Sequence, residues 1–326
     1  MNTKEQVLQM LKRHAGVFLS GNALSQSLQI TRAAVWKAVR SLREEGYQIE
    51  AVTNRGYCLA EPEGGFLEEE SLKTAMPNGR LGRKLVLLKQ VDSTNSYAKK
   101  LAEQPDSDGT VVVAETQTQG KGRMYRHFYS PLREGVYFSV VLHPDIHLDE
   151  LNLLTLTAAL SVVEAVEALT GTRPQIKWPN DVVWNGKKLC GILTESSVEN
   201  ETGRVQYTVS GIGINVNNRG FPDELKQTAC SLRQIGRRAF SRRQVIAAVL
   251  GRLERFLADD WFLRHREEML DEYRRDVALI GKEIDLIYPR GKVHGKVLGI
   301  DAKGGLLVRT ETRGDTVIYS GEVSVR

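Results

Sequence analysis

Between Gly120 and Arg126 the chain sets two glycines, Gly120 and Gly122, among three cations, Lys121, Arg123 and Arg126. Glycines let a backbone approach a ligand closely, and successive N–H groups flanked by cations suit a carboxylate or phosphate. The spacing is neither the P-loop nor the dinucleotide fingerprint. Alone, it also reads as a basic surface turn. Four further stretches carry chemistry-bearing side chains: DSTN at 92–95, KWPND at 177–181, GKKLCG at 186–191 and GIGINV at 211–216. Ser93, Thr94 and Asn95 offer hydroxyls and an amide where a helix starts, fit for capping, for a ligand, or for both. Gly211 and Gly213 read equally as tight strand packing or as close ligand approach. His143 and His147 have the spacing of a helical metal pair, but Pro144 argues against a helix and makes them loop residues.

The elements that must position these residues follow from periodicity and breakers. Strands are expected at 85–88, 110–116, 136–142, 175–178 and 204–214. A hairpin turning at Asn185–Gly186 joins 182–184 to 187–195, and simple alternation puts Lys188 on one face with Cys190. A helix follows DSTN over 96–103, and a long, mostly apolar helix spans 149–169. A second long helix is expected over 241–263, continuing to Tyr273. From about Val277 short alternating strands punctuated by glycine predict a small barrel.

The N-terminus has its own pattern. Helices are expected at 1–14, 21–28 and 32–45, the last capped by Thr31 and closed by Gly46. A hairpin over 47–60 follows. This is a winged helix-turn-helix, and residues 1–60 hold eight Lys/Arg against four acids. A basic module of this kind is the footprint of nucleic acid binding. Thr31, Arg32, Trp36 and Lys37 lie where a recognition helix meets the major groove, and Arg55 lies at the wing tip. The alternative is a winged helix used for protein packing.

Length and composition bound the rest. The chain has 326 residues, net charge +5, 41% hydrophobic and 26% charged residues, an ordinary balance for two or three globular domains. No uninterrupted apolar run nears 18 residues, so no membrane span is expected. Three scattered cysteines argue against a disulfide framework or zinc site and fit a reducing cytoplasm.

In combination, DSTN, Q-x-x-G-K-G-R, KWPND, G-K-K-L-C-G-I, GIGIN and the final SGE resemble the biotin–protein ligases, over roughly residues 85–326. With the winged helix, the chain resembles the bifunctional members that also act as biotin-responsive repressors. The resemblance implies an α+β, multidomain fold: a winged helix at 1–62, a linker and short helix at 63–80, a catalytic α/β domain of the biotin/lipoate ligase type at 81–274, and the small β-barrel at 275–326.

The resemblance also assigns roles. Ser93, Thr94, Asn95, Gln117, Lys121, Gly122, Arg123, Lys188 and Gly191 would bind biotin. Gly120, Arg123, Arg126, Asn180, Gly213 and Asn215 would bind ATP or the adenylate. Arg123, Lys188 and Asp181 would be catalytic. No resident metal site is implied; Mg2+ would arrive with ATP, near Asp181. Residues 217–232 would order over the adenine. Tyr125 departs from the glycine that many members carry.

The implied reaction has two halves, adenylation of biotin's carboxylate by ATP and transfer to a lysine of a biotin carboxyl carrier protein. No Ser-His-Asp or Cys-His set is needed, because the activation resides in the anhydride. Operator DNA and a homodimer of the adenylate-bound form complete the implied partners. Two alternatives stay open: a sensor-repressor that binds biotin or its adenylate without ligating, and a lipoate ligase relative.

Overall fold

The computed structural model describes residues 2–61, 64–288, 291–311 and 314–325, in two compact units, 1–66 and 67–326. In the first, α1 (Thr3–Arg13), α2 (Gly21–Leu28) and α3 (Arg32–Glu44) precede the hairpin β1 (Ile49–Val52) and β2 (Gly56–Leu59). Asn2, Ser20 and Thr31 each accept an N-terminal backbone N–H of the helix that follows. Val7, Leu11, Leu24, Val35, Val39, Leu42 and Leu59 make one core. The apolar stripe of α3 therefore faces inward and leaves Arg32, Trp36 and Lys37 exposed.

The second unit runs α4 (Glu69–Ala75), β3 (Leu85–Leu88), α5 (Thr94–Ala102), β4 (Val111–Ala114), β5 (Gly135–Leu142), α6 (Leu151–Thr170), β6 (Gln175–Lys177), β7 (Asp181–Trp184), β8 (Lys187–Val198) and β9 (Val205–Asn215). It continues with α7 (Leu232–Gly236), α8 (Arg242–Leu257), α9 (Trp261–Arg264) and α10 (Arg266–Asp276). The chain ends with β10 (Glu283–Tyr288), β11 (Gly291–Ile300), β12 (Leu306–Thr310), β13 (Gly314–Ile318) and β14 (Glu322–Val325).

Seven strands form one sheet in the order β3-β4-β5-β9-β8-β7-β6, with β3 parallel to β4 and the other neighbours antiparallel. Val113, Phe138, Val140, Ile212 and Ile214 on one face join the core that α6 and α8 complete. The opposite face is half covered by α5, through Ala98 and Ala102 against Val112, Val141 and Val209. The other half of that face is where the glycines lie.

The barrel expected at the C-terminus takes the form of a five-stranded antiparallel sheet, ordered β13-β12-β11-β10-β14. Among the described residues its outer strands do not pair with each other. It shares the core of the central sheet through Ile284, Leu286, Val297 and Leu306. Trp178 Nε1 and Asn152 Nδ2 both donate to Gly304 O, at 2.9 and 2.7 Å, fastening this sheet beside the KWPND turn.

One expectation about the helices is corrected. The helix expected over 241–263 and beyond is broken after Leu257, because Asp259 and Asp260 adopt left-handed φ of 47° and 53°. The segment 148–170 is long and apolar enough by composition to cross a membrane. Here it is a core helix with Leu153, Leu156, Leu160 and Val163 fully buried.

Candidate ligand-binding cleft

Residues directly paired across antiparallel strands project to the same face. One such row across the half-open face reads Tyr137, Gly213, Gly191, Asp181, and the next reads Ser139, Gly211, Leu193. Three glycines thus meet on two neighbouring strands, Gly191 on β8 and Gly211 and Gly213 on β9, and leave a trough. A Cβ at Gly211 would fall 2.1 Å from Asn95 Oδ1, and one at Gly213 would fall 2.6 Å from the Phe128 ring. No side chain fits at either position without displacing a wall.

The start of α5 closes one end. Ser93, which is buried, occupies the N-cap position without using its hydroxyl as a cap and lines the cavity. Gln117 takes over the capping: its Oε1 accepts Thr94 N at 2.8 Å and Thr94 Oγ1 at 3.2 Å. Ser139 Oγ lies 2.8 Å from Thr94 Oγ1 and 2.7 Å from Asn95 Oδ1. The result is a pocket of fixed donors and acceptors lined by Ser93, Thr94, Gln117, Lys121, Phe128 and Gly191.

The glycine-rich loop folds over it. Gly122 N donates to Arg126 O at 2.8 Å, and Met124 turns the chain at φ 55°. Phe128 N returns to Gly120 O at 2.8 Å, which lays the Phe128 ring across Gly191 and Gly213. Lys121 Nζ reaches Ser96 Oγ at 2.8 Å. Arg123 Nη1 donates to Asn180 Oδ1 at 3.2 Å. Burial pulls the Arg123 guanidinium below the usual arginine range, and Asp181 pushes the other way. Arg123 and Asn180 line a second cleft of about 490 Å3, which shares Leu193 with the first pocket and is walled by Thr155, Thr194, Lys303 and Tyr319.

Lys188 departs from simple alternation. A β-bulge lets Val182 pair with Cys190 while Val183 pairs with Lys188. Cys190 and Leu189 are both buried in the core, and Lys188 turns instead to the trough face. There its Nζ lies 2.7 Å from Asp181 Oδ1 and 6.0 Å from the Phe128 ring centre. The contact with Asp181 is ionic rather than a well-aligned hydrogen bond. Lys188 N donates to Thr228 O, and Lys188 O accepts Cys230 N, so residues 228–230 clamp the lysine's backbone.

Several residues expected to touch a ligand are engaged elsewhere. Asn95 Nδ2 donates to Leu193 O and Glu195 Oε2 while its Oδ1 meets Ser139, making it a fixed wall. Asn215 Nδ2 donates to Cys230 O at 3.0 Å, tying down the 228–230 segment. Gly120, Gly122, Arg126, Asp181, Lys188 and Asn215 line neither of the two cavities. Lys188 and Asp181 border the trough across Gly191. The side chain of Tyr125 lies outside the described residues. The two histidines at 143 and 147 share no metal-binding group among the described residues, and His143 Nε2 instead bonds Ser107 Oγ at 2.9 Å.

Comparison with known proteins places these features. Residues 87–215 match the Biotin/lipoate A/B protein ligase family, 3–58 an HTH domain, and 279–326 the biotin protein ligase C terminal domain. The Bifunctional ligase/repressor BirA of Bacillus spizizenii is 38% identical over 325 residues, covering 99% of this chain and 98% of that protein. The chain belongs to the family of bifunctional biotin–protein ligase/repressors. A second member, the Bifunctional ligase/repressor BirA of Escherichia coli, is 29% identical over 95% of this chain and 94% of its own. Among solved biotin protein ligases, that of Aquifex aeolicus in complex with biotin and ATP is 38% identical, with a TM-score of 0.63. It covers 75% of this chain and 99% of that one.

For a biotin–protein ligase, sequence reasoning missed Phe128, Ser139 and Leu193. Phe128 reads as an ordinary loop aromatic until the strand register sets Gly191 opposite Gly213 beneath it. In the N-terminal unit, Thr31 spends its hydroxyl capping Ala34 N at 3.1 Å, so its side chain positions α3. Arg32 and Lys37 are exposed, Trp36 is 55% exposed, and Arg40 lies over its ring. Arg55 stacks on Phe18 at 4.0 Å.

Proposed function

We propose that this chain adenylates biotin with ATP and transfers it to a lysine of a biotin carboxyl carrier protein, and that it represses transcription in response to biotin. The observation that carries the reading is the glycine trough of Gly191, Gly211 and Gly213. It is walled by a neutral hydrogen-bonding set and bordered by Lys121, Arg123 and Lys188. A flat ureido ring needs a narrow slot with fixed donors and acceptors, and Ser93, Thr94 and Gln117 supply them. The carboxylate tail then runs toward the cations.

Adenylation brings an anion against a polyanion. Arg123 and Lys188 offset that repulsion and stabilise charge developing on the α-phosphate as the carboxylate oxygen attacks and pyrophosphate leaves. Asn180 orients Arg123 through its Oδ1. In the second half, the amine of the carrier lysine attacks the mixed anhydride, an amide forms and AMP leaves. Asp181, beside Lys188 at the border of the trough, would orient that amine. Mg2+ bound to the triphosphate would lie near Asp181 and supply charge neutralisation. The Phe128 loop and the segment from 217 exclude water from the anhydride meanwhile.

The sensor reading loses its rationale because the cations remain in place. Arg32, Trp36 and Lys37 would meet operator DNA, and two copies joined through the large unit would match a two-fold operator. Such a protein works in the cytoplasm, beside its carrier and DNA. The test of the first half-reaction is biotin-dependent exchange of labelled pyrophosphate into ATP. Exchange only with biotin present supports the reading; exchange driven by lipoate instead overturns its choice of substrate.

A further inference from the structure

Arg242 is completely buried, the largest fully buried side chain among the described residues. It stands at the first turn of α8 and reaches across the core to Glu115, at the end of β4. Its Nη1 and Nη2 lie 2.5 and 3.4 Å from the two carboxylate oxygens. An arginine with no exposure is costly to keep unless its geometry does something apolar packing would not.

Its position suggests what. Along β4, Val111 and Val113 point to the helix layer and Ala114 to the trough, so Glu115 points back toward α8. Glu115 is two residues before Gln117, whose side chain organises the start of α5. The same carboxylate-bearing residue is held through its backbone, by Arg133 N to Glu115 O at 3.4 Å and Glu115 N to Leu88 O at 3.0 Å. Thr116 Oγ1 donates to Ser130 O at 2.8 Å. Both ends of the 115–131 loop are therefore seated on one small platform. The segment 217–240 ends on the same platform. Asn217 Oδ1 accepts Phe240 N and Asn217 Nδ2 donates to Phe240 O, each at 2.9 Å, and Asn217 N donates to Glu134 O.

We propose that Arg242 is a positioning residue for biotin: through Glu115 it fixes, from behind the sheet, where Gln117 and the glycine-rich loop begin. It touches no substrate. Its effect reaches the pocket through the Glu115 backbone and the Gln117 amide. This rests on the reading of the cleft as a biotin site.

The experiment is biotin binding by calorimetry, with steady-state ligation, on wild type, Glu115→Gln, Arg242→Gln, the double variant and Arg242→Lys. Because a small misplacement of a binding group costs about ten- to a hundredfold, each neutralising variant should weaken biotin by about tenfold or more and raise its KM. kcat at saturating biotin and KM for the carrier should stay within about twofold. The double variant should lose no more than the worse single one, as for a single shared interaction. Arg242→Lys, which keeps the charge, should recover part of the affinity. Folded variants that bind biotin like wild type would overturn the proposal, and so would additive losses. If Arg242→Gln does not fold, the isosteric Glu115→Gln decides alone; if neither folds, the pair is only structural and the proposal fails. Wild type that fails to bind biotin would instead sink the reading of the cleft.

Discussion

Lys188 Nζ lies 2.7 Å from Asp181 Oδ1 on the face of the sheet that carries the glycine trough. A single β-bulge between the paired strands puts it there. The ammonium and carboxylate hold each other beside Gly191.

Lys188→Ala and Arg123→Ala should therefore cut adenylate formation by about tenfold to a hundredfold. Each deletes a charge-assisted contact of about 1.5–3 kcal/mol. Lys188 is partly exposed, so its melting temperature should hardly change. Pyrophosphate exchange and thermal denaturation on the same samples check this. Equal rates in both variants would remove these residues from the site.

The trough predicts a steric result. Gly213→Ala would drive a methyl group into the Phe128 ring, and Gly211→Ala into the Asn95 amide. Overpacking of this kind costs about 1–3 kcal/mol. In Gly213→Ala the cost should appear as weaker biotin affinity, because Phe128 is part of the lid. Phe128→Ala in the Gly213→Ala background should restore the folding stability but not the affinity. Calorimetric titration and melting curves separate the two.

The N-terminal surface predicts separable functions. Lys37→Ala should weaken DNA binding across sequences and lower the salt slope by about one. Trp36→Ala should weaken operator binding as well. Neither should alter ligation, since the ligase cleft is built wholly from residues of 67–326. Fluorescence anisotropy at several salt concentrations, alongside ligation rates, reads both.

Burial raises the thiols of Cys190 and Cys230, the latter to about 11. Folded Cys230 thus keeps its proton at a pH where the unfolded chain has lost it. Stability should fall as pH rises from the ordinary thiol value near 9 toward 11. Melting temperatures over that range should decline less steeply in Cys230→Ala than in wild type. Identical slopes would show that this thiol is not the cause.

What could be read beforehand divides along physical lines. The helix-turn-helix was legible because Thr31 and the Val35, Val39, Leu42 stripe are local signals. DSTN and GIGIN were legible as lining of one pocket because their hydroxyls and glycines keep their spacing within single elements, whereas Gly120 and Gly122 of the glycine-rich loop line neither cavity. The bulge at Lys188 was not, because alternation assumes regular pairing and no local residue marks the slip. Asn95 lines the pocket, but its amide is engaged by Leu193 O, the Glu195 carboxylate and the Ser139 hydroxyl, and that of Asn215 by Cys230 O, partners that only the fold brings in. The Arg242–Glu115 pair joins residues far apart in sequence and leaves no periodic trace. The break after Leu257 has no Gly or Pro to announce it; two aspartates in left-handed conformation make it.

The most direct test of the central claim is transfer of labelled biotin to a biotin carboxyl carrier domain, run with ATP and magnesium and with each omitted. The account predicts label on the carrier lysine only in the complete mixture, and none when the carrier lysine is replaced by arginine. Tight biotin binding with no transfer in the complete mixture would contradict it and leave a sensor in place of a ligase.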